Sequence, residues 1–161
     1  MADFEILLSG SDVRAFDTPP YLDTPICVRA NGRYFPDGLW TDFSFEVLSM
    51  WTEEFQRNRW GVRPKYTFQF MEGPFRMIGQ QNGDELHLSG INARWANDIV
   101  EFEIRIPVAE FLGELLRAFQ KLQRIVYTTD AFRDERTREN ALESIRHYTK
   151  LLEEMLARDY R

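Results

Sequence analysis

The spacing of the hydrophobic residues changes at the end of IVEFEIRIP, and this change limits the folds that the chain can adopt. Within that segment Phe102, Ile104 and Ile106 alternate with charged residues, which is the period of a β-strand with one buried face. From Val108 onward the apolar residues recur every three or four positions, which is the period of an amphipathic helix. Strands with one solvated face suit an antiparallel sheet. The sequence therefore predicts an α+β fold.

Two dipeptides predict tight hairpins. Asn31-Gly32 and Asn82-Gly83 each lie between two runs with strand-like alternation. Asn-Gly readily takes the positive φ angles that a two-residue hairpin turn requires. The opening run FEILLSG alternates in the same way, so we expect a strand before the first hairpin.

The remaining segments are predicted to be helical. The residues from Asp42 to about Asn58 have helical spacing, and Thr41 or Asp42 is placed to cap the first turn. Two apolar stripes at the C-terminal end repeat with steps of four and three, through Val108, Leu112, Leu115, Phe119, Leu122 and Val126, and through Ala141, Ile145, Tyr148, Leu152 and Met155. They predict an antiparallel helical hairpin joined by TTDAF. Residues 1–161 thus form one predicted domain, an antiparallel sheet with one helix after the N-terminal hairpin and a helical hairpin at the end.

The charge is distributed unevenly along the chain. The formal net charge is -6, and residues 1–56 alone hold ten acidic and three basic side chains. Nucleic-acid binding normally needs a basic patch, so nucleic acid is not an expected ligand. An acidic surface favours a basic protein partner, because complementary potentials steer association. The alternative is that the acidic side chains serve solubility alone.

The N-terminal residues MADFEILLSGSDV lack a basic region followed by an apolar run of signal-peptide length, and no later segment is apolar enough to span a membrane. We therefore expect a cytoplasmic protein that does not bind membranes. The single cysteine, Cys27, lies in a strand-like run. It is expected to be a small buried hydrophobic residue and not a nucleophile.

The sequence contains no recognisable catalytic, cofactor or metal motif. The only histidines are His87 and His147, and with one cysteine they cannot supply a zinc site of the usual spacing. The glycines do not form a phosphate-binding loop, and no serine lies in a G-x-S-x-G elbow. We therefore predict a protein that is not an enzyme and needs no cofactor.

A stripe of acidic residues is the most distinct side-chain pattern in the first predicted helix. Asp42, Glu46 and Glu53, with Ser49 between them, recur at separations that return to one side of a helix, opposite the aromatic face. The stripe can be an ordinary solvated face or the docking surface of a basic partner. Acid–base catalysis by paired carboxylates would need a cleft with opposed environments, which one solvated helix face does not provide.

Aromatic residues are concentrated in the loop before this helix. The segment from the hairpin end to the helix contains Tyr34, Phe35, Pro36, Asp37, Leu39 and Trp40. Tyrosine and tryptophan often anchor protein interfaces, but an aromatic loop can equally fold back on the helix start. The candidate partner-binding residues are therefore Tyr34, Phe35, Asp37, Trp40, Asp42, Glu46 and Glu53.

The segment RYFPDGLWTDFSFEVLSMW, followed by a small antiparallel sheet and terminal helices, resembles small acidic bacterial immunity proteins of polymorphic and contact-dependent toxin systems. The resemblance is carried by about 20 residues, from Tyr34 to Trp51, and elsewhere by size, acidity and layout. It implies a cytoplasmic protein that binds a cognate toxin and blocks its active site or substrate surface. Acidic members of such systems often face basic nuclease toxins.

Two other functions remain open from the sequence. The aromatic residues Tyr66, Phe68, Phe70 and Trp95 could line a pocket on the sheet, as in a small-molecule-binding module or an enzyme. The terminal helical hairpin could instead serve assembly, as in a structural subunit. A monomer and a homodimer are both compatible with the sequence.

Overall fold

The computed structural model describes residues 3–38, 40–94 and 96–160. Within them the chain forms nine strands and three helices. The strands are β1 (Phe4–Leu8), β2 (Arg14–Ala15), β3 (Leu22–Ala30), β4 (Arg33–Phe35), β5 (Thr41–Asp42), β6 (Lys65–Gln69), β7 (Phe75–Asn82), β8 (Glu85–Asn92) and β9 (Ile99–Pro107). The helices are α1 (Ser44–Asn58), α2 (Val108–Thr128) and α3 (Glu135–Asp159). The predicted α+β class is confirmed, as are the helix after the N-terminal strands and the two terminal helices.

The strands form two antiparallel sheets, where the sequence predicted one. In the first sheet β3 is the central strand, and β1, β2, β4 and β5 all pair with it. The second sheet is a meander with the strand order β6-β7-β8-β9. The alternating pattern could not distinguish one sheet from two, because it specifies only which side of each strand is buried.

Both predicted hairpins form, and the second is shifted by one residue. Asn31 and Gly32 connect β3 to β4 with φ angles of 51° and 78°, as a type I′ turn requires. In the second hairpin Asn82 pairs with Glu85, so the two turn residues are Gly83 and Asp84. Gly83 takes a φ of 61° at the first turn position, where glycine is favoured.

The first helix begins two residues later than predicted. Asp42 belongs to β5 and pairs with Thr24 of β3, and the helix cap is Phe43, which makes no side-chain capping hydrogen bond. The prediction that Thr41 or Asp42 caps this helix is therefore wrong. The pairing with β3 joins residues far apart in sequence, so the local helical pattern carried no sign of it.

One hydrophobic core connects the two sheets and the helices. Phe111 of α2 contacts both Phe4 of β1 and Phe68 of β6, with ring centroids 5.9 and 4.8 Å apart. Helix α1 is fixed to β6 by a hydrogen bond of 2.7 Å from the indole N–H of Trp51 to the carbonyl oxygen of Gln69. These contacts hold α1 and α2 against the meander.

The terminal helices α2 and α3 pack against each other and form the predicted antiparallel hairpin. Their apolar stripes lie in the core: Leu115, Phe119 and Leu122 of α2 and Ile145 and Leu152 of α3 are all fully buried. In the described part of the chain, this leaves no free apolar stripe on the hairpin for the assembly role.

A buried glutamate of α2, Glu114, contacts the outer edge of β1. Glu114 of α2 is only 4% exposed, and its carboxylate accepts hydrogen bonds from the side chain of Arg117 and from the backbone N–H of Ile6. Burial raises the pKa of Glu114, and these two bonds oppose the rise. The contact ties α2 to the edge strand of the first sheet.

Candidate functional site

One aromatic residue of the loop before α1, Phe35, is part of the core. Phe35 is fully buried, and its ring meets those of Phe70, Phe75 and Phe102 edge-on at 5.8, 5.7 and 5.3 Å. The expectation that Phe35 lies on a partner-binding surface is therefore corrected, because its ring joins the first sheet to the meander. The fold-back alternative placed these aromatic residues on the helix start, whereas the ring of Phe35 packs on the meander.

Trp40 is half-buried and its ring also packs on the meander. Its ring meets that of Phe75 edge-on at 5.0 Å, and its indole N–H donates to Asp42 at 3.2 Å. Tyr34 remains 47% exposed and Asp37 is exposed, so these two stay at the surface. Leu39 lies outside the described residues.

Asp42 is not part of an exposed acidic stripe. It is 1% exposed and accepts hydrogen bonds from the indole N–H of Trp40 at 3.2 Å and from the backbone N–H groups of Phe43 at 2.7 Å and Glu72 at 3.1 Å. Three donors replace the water that a carboxylate would otherwise bind. The predicted binding role for Asp42 is corrected to one in organising the loop.

The other members of the predicted stripe form one wall of a cleft between α1 and α3. Glu46 is half-buried and Glu53 is exposed. Ser49 is buried and its hydroxyl donates to the carbonyl oxygen of Phe45 at 2.7 Å. We call this site the acidic cleft; it has a volume of about 570 Å³. Its lining residues are Pro19, Tyr21, Phe45, Glu46, Ser49, Glu53, Asn140, Glu143, Ser144, His147 and Tyr148.

The floor of the acidic cleft is aromatic and fixed by packing. Tyr148 stacks on Phe119 with a centroid distance of 5.3 Å and an interplanar angle of 4°. Phe45 meets Tyr148 edge-on at 5.9 Å and Tyr21 edge-on at 5.6 Å. Since each ring is held by another, the floor is preorganised.

The cleft is negatively charged. Glu46 and Glu53 lie on the α1 wall and Glu143 lies on the α3 wall. Among the described residues that line the cleft, lysine and arginine are absent. Three carboxylates around an aromatic floor favour a cationic ligand, because the negative charges and the ring quadrupoles both attract a cation.

Tyr148 connects the two walls. Its hydroxyl donates a hydrogen bond to Glu53. Burial, followed by this bond and the negative charge of Glu53, raises the pKa of Tyr148 to about 12. The tyrosine is therefore protonated at neutral pH and acts as a hydrogen-bond donor and not as a base.

Cys27 lies outside this site. It is buried, as the sequence predicted, and burial raises the pKa of its thiol to about 11. A protonated, buried thiol is a poor nucleophile. In the described ranges, no group of three or more His, Cys, Asp or Glu side chains could hold a metal ion.

The alternative small-molecule site on the aromatic sheet face does not form. Tyr66, Phe68 and Phe70 are at most 4% exposed. Phe55 of α1 stacks on Tyr66 at 5.0 Å, and Trp51 of α1 meets Phe70 edge-on at 5.2 Å. Helix α1 thus occupies the space that a ligand would need. Trp95, the fourth residue predicted there, lies outside the described residues.

The sequence prediction missed the second wall of the cleft. Asn140, Glu143, Ser144 and His147 belong to α3 and recur at helical spacing beside its apolar stripe. This polar face is visible in the sequence. Its position opposite α1 is not, because it depends on how the terminal hairpin packs.

Comparison with known proteins gives no family assignment: the chain matches no protein-family model, no curated protein and no solved structure. None of the helices in the described residues is both long and apolar enough to cross a membrane. The acidic cleft is therefore the feature of the molecule that indicates a function.

Proposed function

We propose that this protein is a non-enzymatic binding module that neutralises a cognate bacterial toxin by receiving a cationic side chain of that toxin in the acidic cleft. The observation that carries the proposal is the combination of Glu46, Glu53 and Glu143 with an aromatic floor in one cleft of about 570 Å³. The toxin as partner is drawn from the resemblance of the segment around Trp51 to immunity proteins.

Arginine is the side chain that fits the cleft best in chemical terms. Its guanidinium group pairs with carboxylates through two parallel N–H bonds and stacks on aromatic faces. The cleft offers carboxylates on both walls and the rings of Tyr21, Phe45 and Tyr148 below them. A toxin that uses such an arginine to hold its own anionic substrate would lose that contact when the arginine enters the cleft.

The overall charge supports the same class of partner. A net charge of -6 attracts a basic protein over long range and raises the association rate at low salt. Tyr34 and Asp37 lie at the surface outside the cleft lining and remain candidate contacts of a partner that extends beyond the cleft. Phe35 and Asp42 are excluded from the proposed interface by their burial.

The experiment is co-expression with the product of the neighbouring gene, followed by calorimetry with the two purified proteins. The variant Glu46→Lys/Glu143→Lys reverses one carboxylate on each wall and leaves the Tyr148–Glu53 bond intact. The matched control, Glu153→Lys/Glu154→Lys, makes the same change in net charge on exposed residues of α3 outside the cleft lining.

We expect the cleft variant to weaken binding about 100-fold, which corresponds to about 2.7 kcal/mol, and the control to stay within about threefold. Binding of the wild type should weaken with salt, because part of the attraction is screened. Equal losses in both variants, or no loss in either, would contradict the proposed interface.

A small cationic ligand is the second candidate. The volume of about 570 Å³ falls within the range of small-molecule sites. Native mass spectrometry of the purified protein separates the two functions. A bound small cation that is lost in Glu46→Lys/Glu143→Lys, with no stable protein complex, would favour this candidate over toxin binding.

A further inference from the structure

The loop between α1 and β6 exposes two large apolar side chains that are two positions apart in sequence. Trp60 is 74% exposed and Val62 is 98% exposed, with Gly61 between them. Such exposure is costly in water and marks interaction sites when apolar residues are grouped. Tryptophan is also the residue most enriched among the energetic centres of protein interfaces.

The ring of Trp60 is held in place and is not a free loop side chain. The guanidinium carbon of Arg59 lies 4.0 Å from the centroid of the Trp60 ring, in cation–π geometry. Arg59 in turn donates a hydrogen bond to Asp159 in the last turn of α3, and its side chain is only 13% exposed. A partner that contacts Trp60 therefore meets a preorganised ring and loses little entropy in ordering it.

The loop ends at a basic hollow on the outer face of the meander. The hollow has a volume of about 230 Å³ and is lined by Arg63, Gln80, Gln81, Asn82, Glu85, His87 and Arg105. The strand register places Gln80, His87 and Arg105 in one row across β7, β8 and β9. Residues that pair directly across neighbouring strands lie on the same face of the sheet. These three side chains therefore point to the same side.

The cations of the hollow are weakly neutralised. Within the described residues Arg63 makes no ion pair, and the closest approach of Arg105 to Glu85 is 3.9 Å, beyond hydrogen-bond distance. Both members of that pair are more than half exposed, with side-chain exposures of 70% and 57%, so the contact contributes little. Arginine and amide donors are therefore available to an incoming anion.

We propose that Trp60 and Val62, with Arg63, His87 and Arg105, form a second docking surface for an acidic segment of a protein partner. Trp60 and Val62 receive an apolar side chain of that segment, while Arg63 and Arg105 pair with its carboxylates. We call this the Trp60 surface. It has the opposite charge to the acidic cleft and does not depend on the function proposed for that cleft.

A protein segment fits this surface better than nucleic acid or an anionic membrane. Glu85 lines the hollow, and Glu103 lines the adjoining pocket that His87 and Arg105 share. Repulsion from these two carboxylates grows with the number of phosphates that approach. Polybasic membrane sites gain about 1 kcal/mol for each cation near the surface and need a larger cluster than this one. A short acidic segment can pair with Arg63 and Arg105 and avoid both carboxylates.

The test uses the full chain and a labelled synthetic peptide in which glutamate alternates with leucine. Binding is followed by fluorescence anisotropy of the peptide and by the tryptophan emission of the protein. A peptide with lysine in place of glutamate is the charge control. The variants are Trp60→Ser and Arg63→Gln/Arg105→Gln, and the matched control is Arg124→Gln/Arg133→Gln, two exposed arginines outside the hollow.

We expect the acidic peptide to bind and to shift tryptophan emission to shorter wavelength, with the shift lost in Trp60→Ser. Each test variant should weaken binding about tenfold, and the control should stay within about twofold. Glu46→Lys/Glu143→Lys should bind the peptide as the wild type does, so a failure of the acidic cleft would leave this result unchanged.

Three results would overturn the proposal. The first is no binding of the acidic peptide at about millimolar concentration. The second is equal weakening in the test and control variants. The third is an emission shift from Trp60 with phosphatidylserine vesicles but not with the peptide, which would assign the surface to a membrane.

Discussion

The hydroxyl of Tyr148 donates a hydrogen bond to the carboxylate of Glu53, and this bond joins α3 to α1 across the acidic cleft. The two residues are far apart in sequence, and both line the cleft. The bond therefore helps to set the separation of the two walls, on which the proposed binding of a cationic group rests.

Tyr148→Phe removes this bond and keeps the ring. Because the acceptor is charged and partly solvated, we expect the free energy of unfolding to fall by about 1 kcal/mol. Urea denaturation should show a lower midpoint with an unchanged slope. Tyr34→Phe, at a tyrosine that is 47% exposed, is the matched control. An unchanged midpoint for Tyr148→Phe would mean that the bond does not hold the helices.

The burial of Tyr148, together with the same bond, predicts a loss of stability in alkali. The pKa of Tyr148 rises from 10.0 to about 12 on folding, so the folded state holds the proton more tightly than the unfolded state. This contribution is complete below pH 10 and is lost as the pH rises through about 12. Burial also raises the pKa of Tyr66, which adds a decline in the same direction.

The contribution of Tyr148 is isolated by comparing Tyr148→Phe with the wild type. The free energy of unfolding of the wild type should fall more steeply than that of Tyr148→Phe over this pH window. The absorbance of tyrosinate should also develop at higher pH in the folded wild type than in the unfolded chain of the Tyr34→Phe control. Parallel declines in the two proteins would contradict the assigned pKa shift.

Asp42→Ala should be strongly destabilising. It leaves the indole N–H of Trp40 and the backbone N–H groups of Phe43 and Glu72 without their acceptor, and each unsatisfied buried donor costs about 1 to 3 kcal/mol. We expect a loss of about 3 kcal/mol in chemical denaturation. Asp130→Ala, at an exposed aspartate, should change stability by less than about 0.5 kcal/mol. Similar small losses in both would argue against the buried position of Asp42.

Gly90→Ala should disturb the junction of the meander with the core. A Cβ atom at this position would lie 2.2 Å from a ring carbon of Phe102, whose ring is held by Phe35 at 5.3 Å. Overpacking of this kind costs about 3 kcal/mol. The matched control is Gly113→Ala in α2, where nothing lies within 4 Å of the added carbon.

The control should be stabilising by about 1 kcal/mol, because alanine favours a helix interior over glycine. Thermal denaturation of the two variants should therefore move in opposite directions from the wild type. A Gly90→Ala protein as stable as the wild type would show that Phe102 has space to move.

Local patterns in the sequence predicted most of the secondary structure. The alternation through Phe102, Ile104 and Ile106 and the turn at Asn31-Gly32 specify their elements within a few residues. These features depend on neighbouring residues only, so a single sequence carries them. The pairing of Asp42 with Thr24 and the division into two sheets depend on contacts between distant residues, and the local pattern does not carry them.

The candidate site was predicted in part. Glu46 and Glu53 were found as a stripe because their spacing is helical, but Asp42 has the same spacing and is buried in β5. The wall that contains Glu143 could not be placed without the packing of α3 on α1. Phe35 and Trp60 show the same limit, because aromatic character alone does not tell a core ring from an exposed one.

The contact of Glu114 with the backbone of Ile6 also affects whether the edge of β1 can pair with another molecule. The carbonyl oxygen of Asp3 accepts a hydrogen bond from the backbone N–H of Asn31, and the backbone N–H of Ser9 donates to the carbonyl oxygen of Pro25. Successive residues of a strand direct their backbone groups to opposite sides. Ile6 is three residues from both Asp3 and Ser9, so its amide points away from β3 at the outer edge of β1. An outward amide on an edge strand is a template for the strand of another molecule. By occupying it with a buried carboxylate, α2 protects the chain against edge-to-edge aggregation.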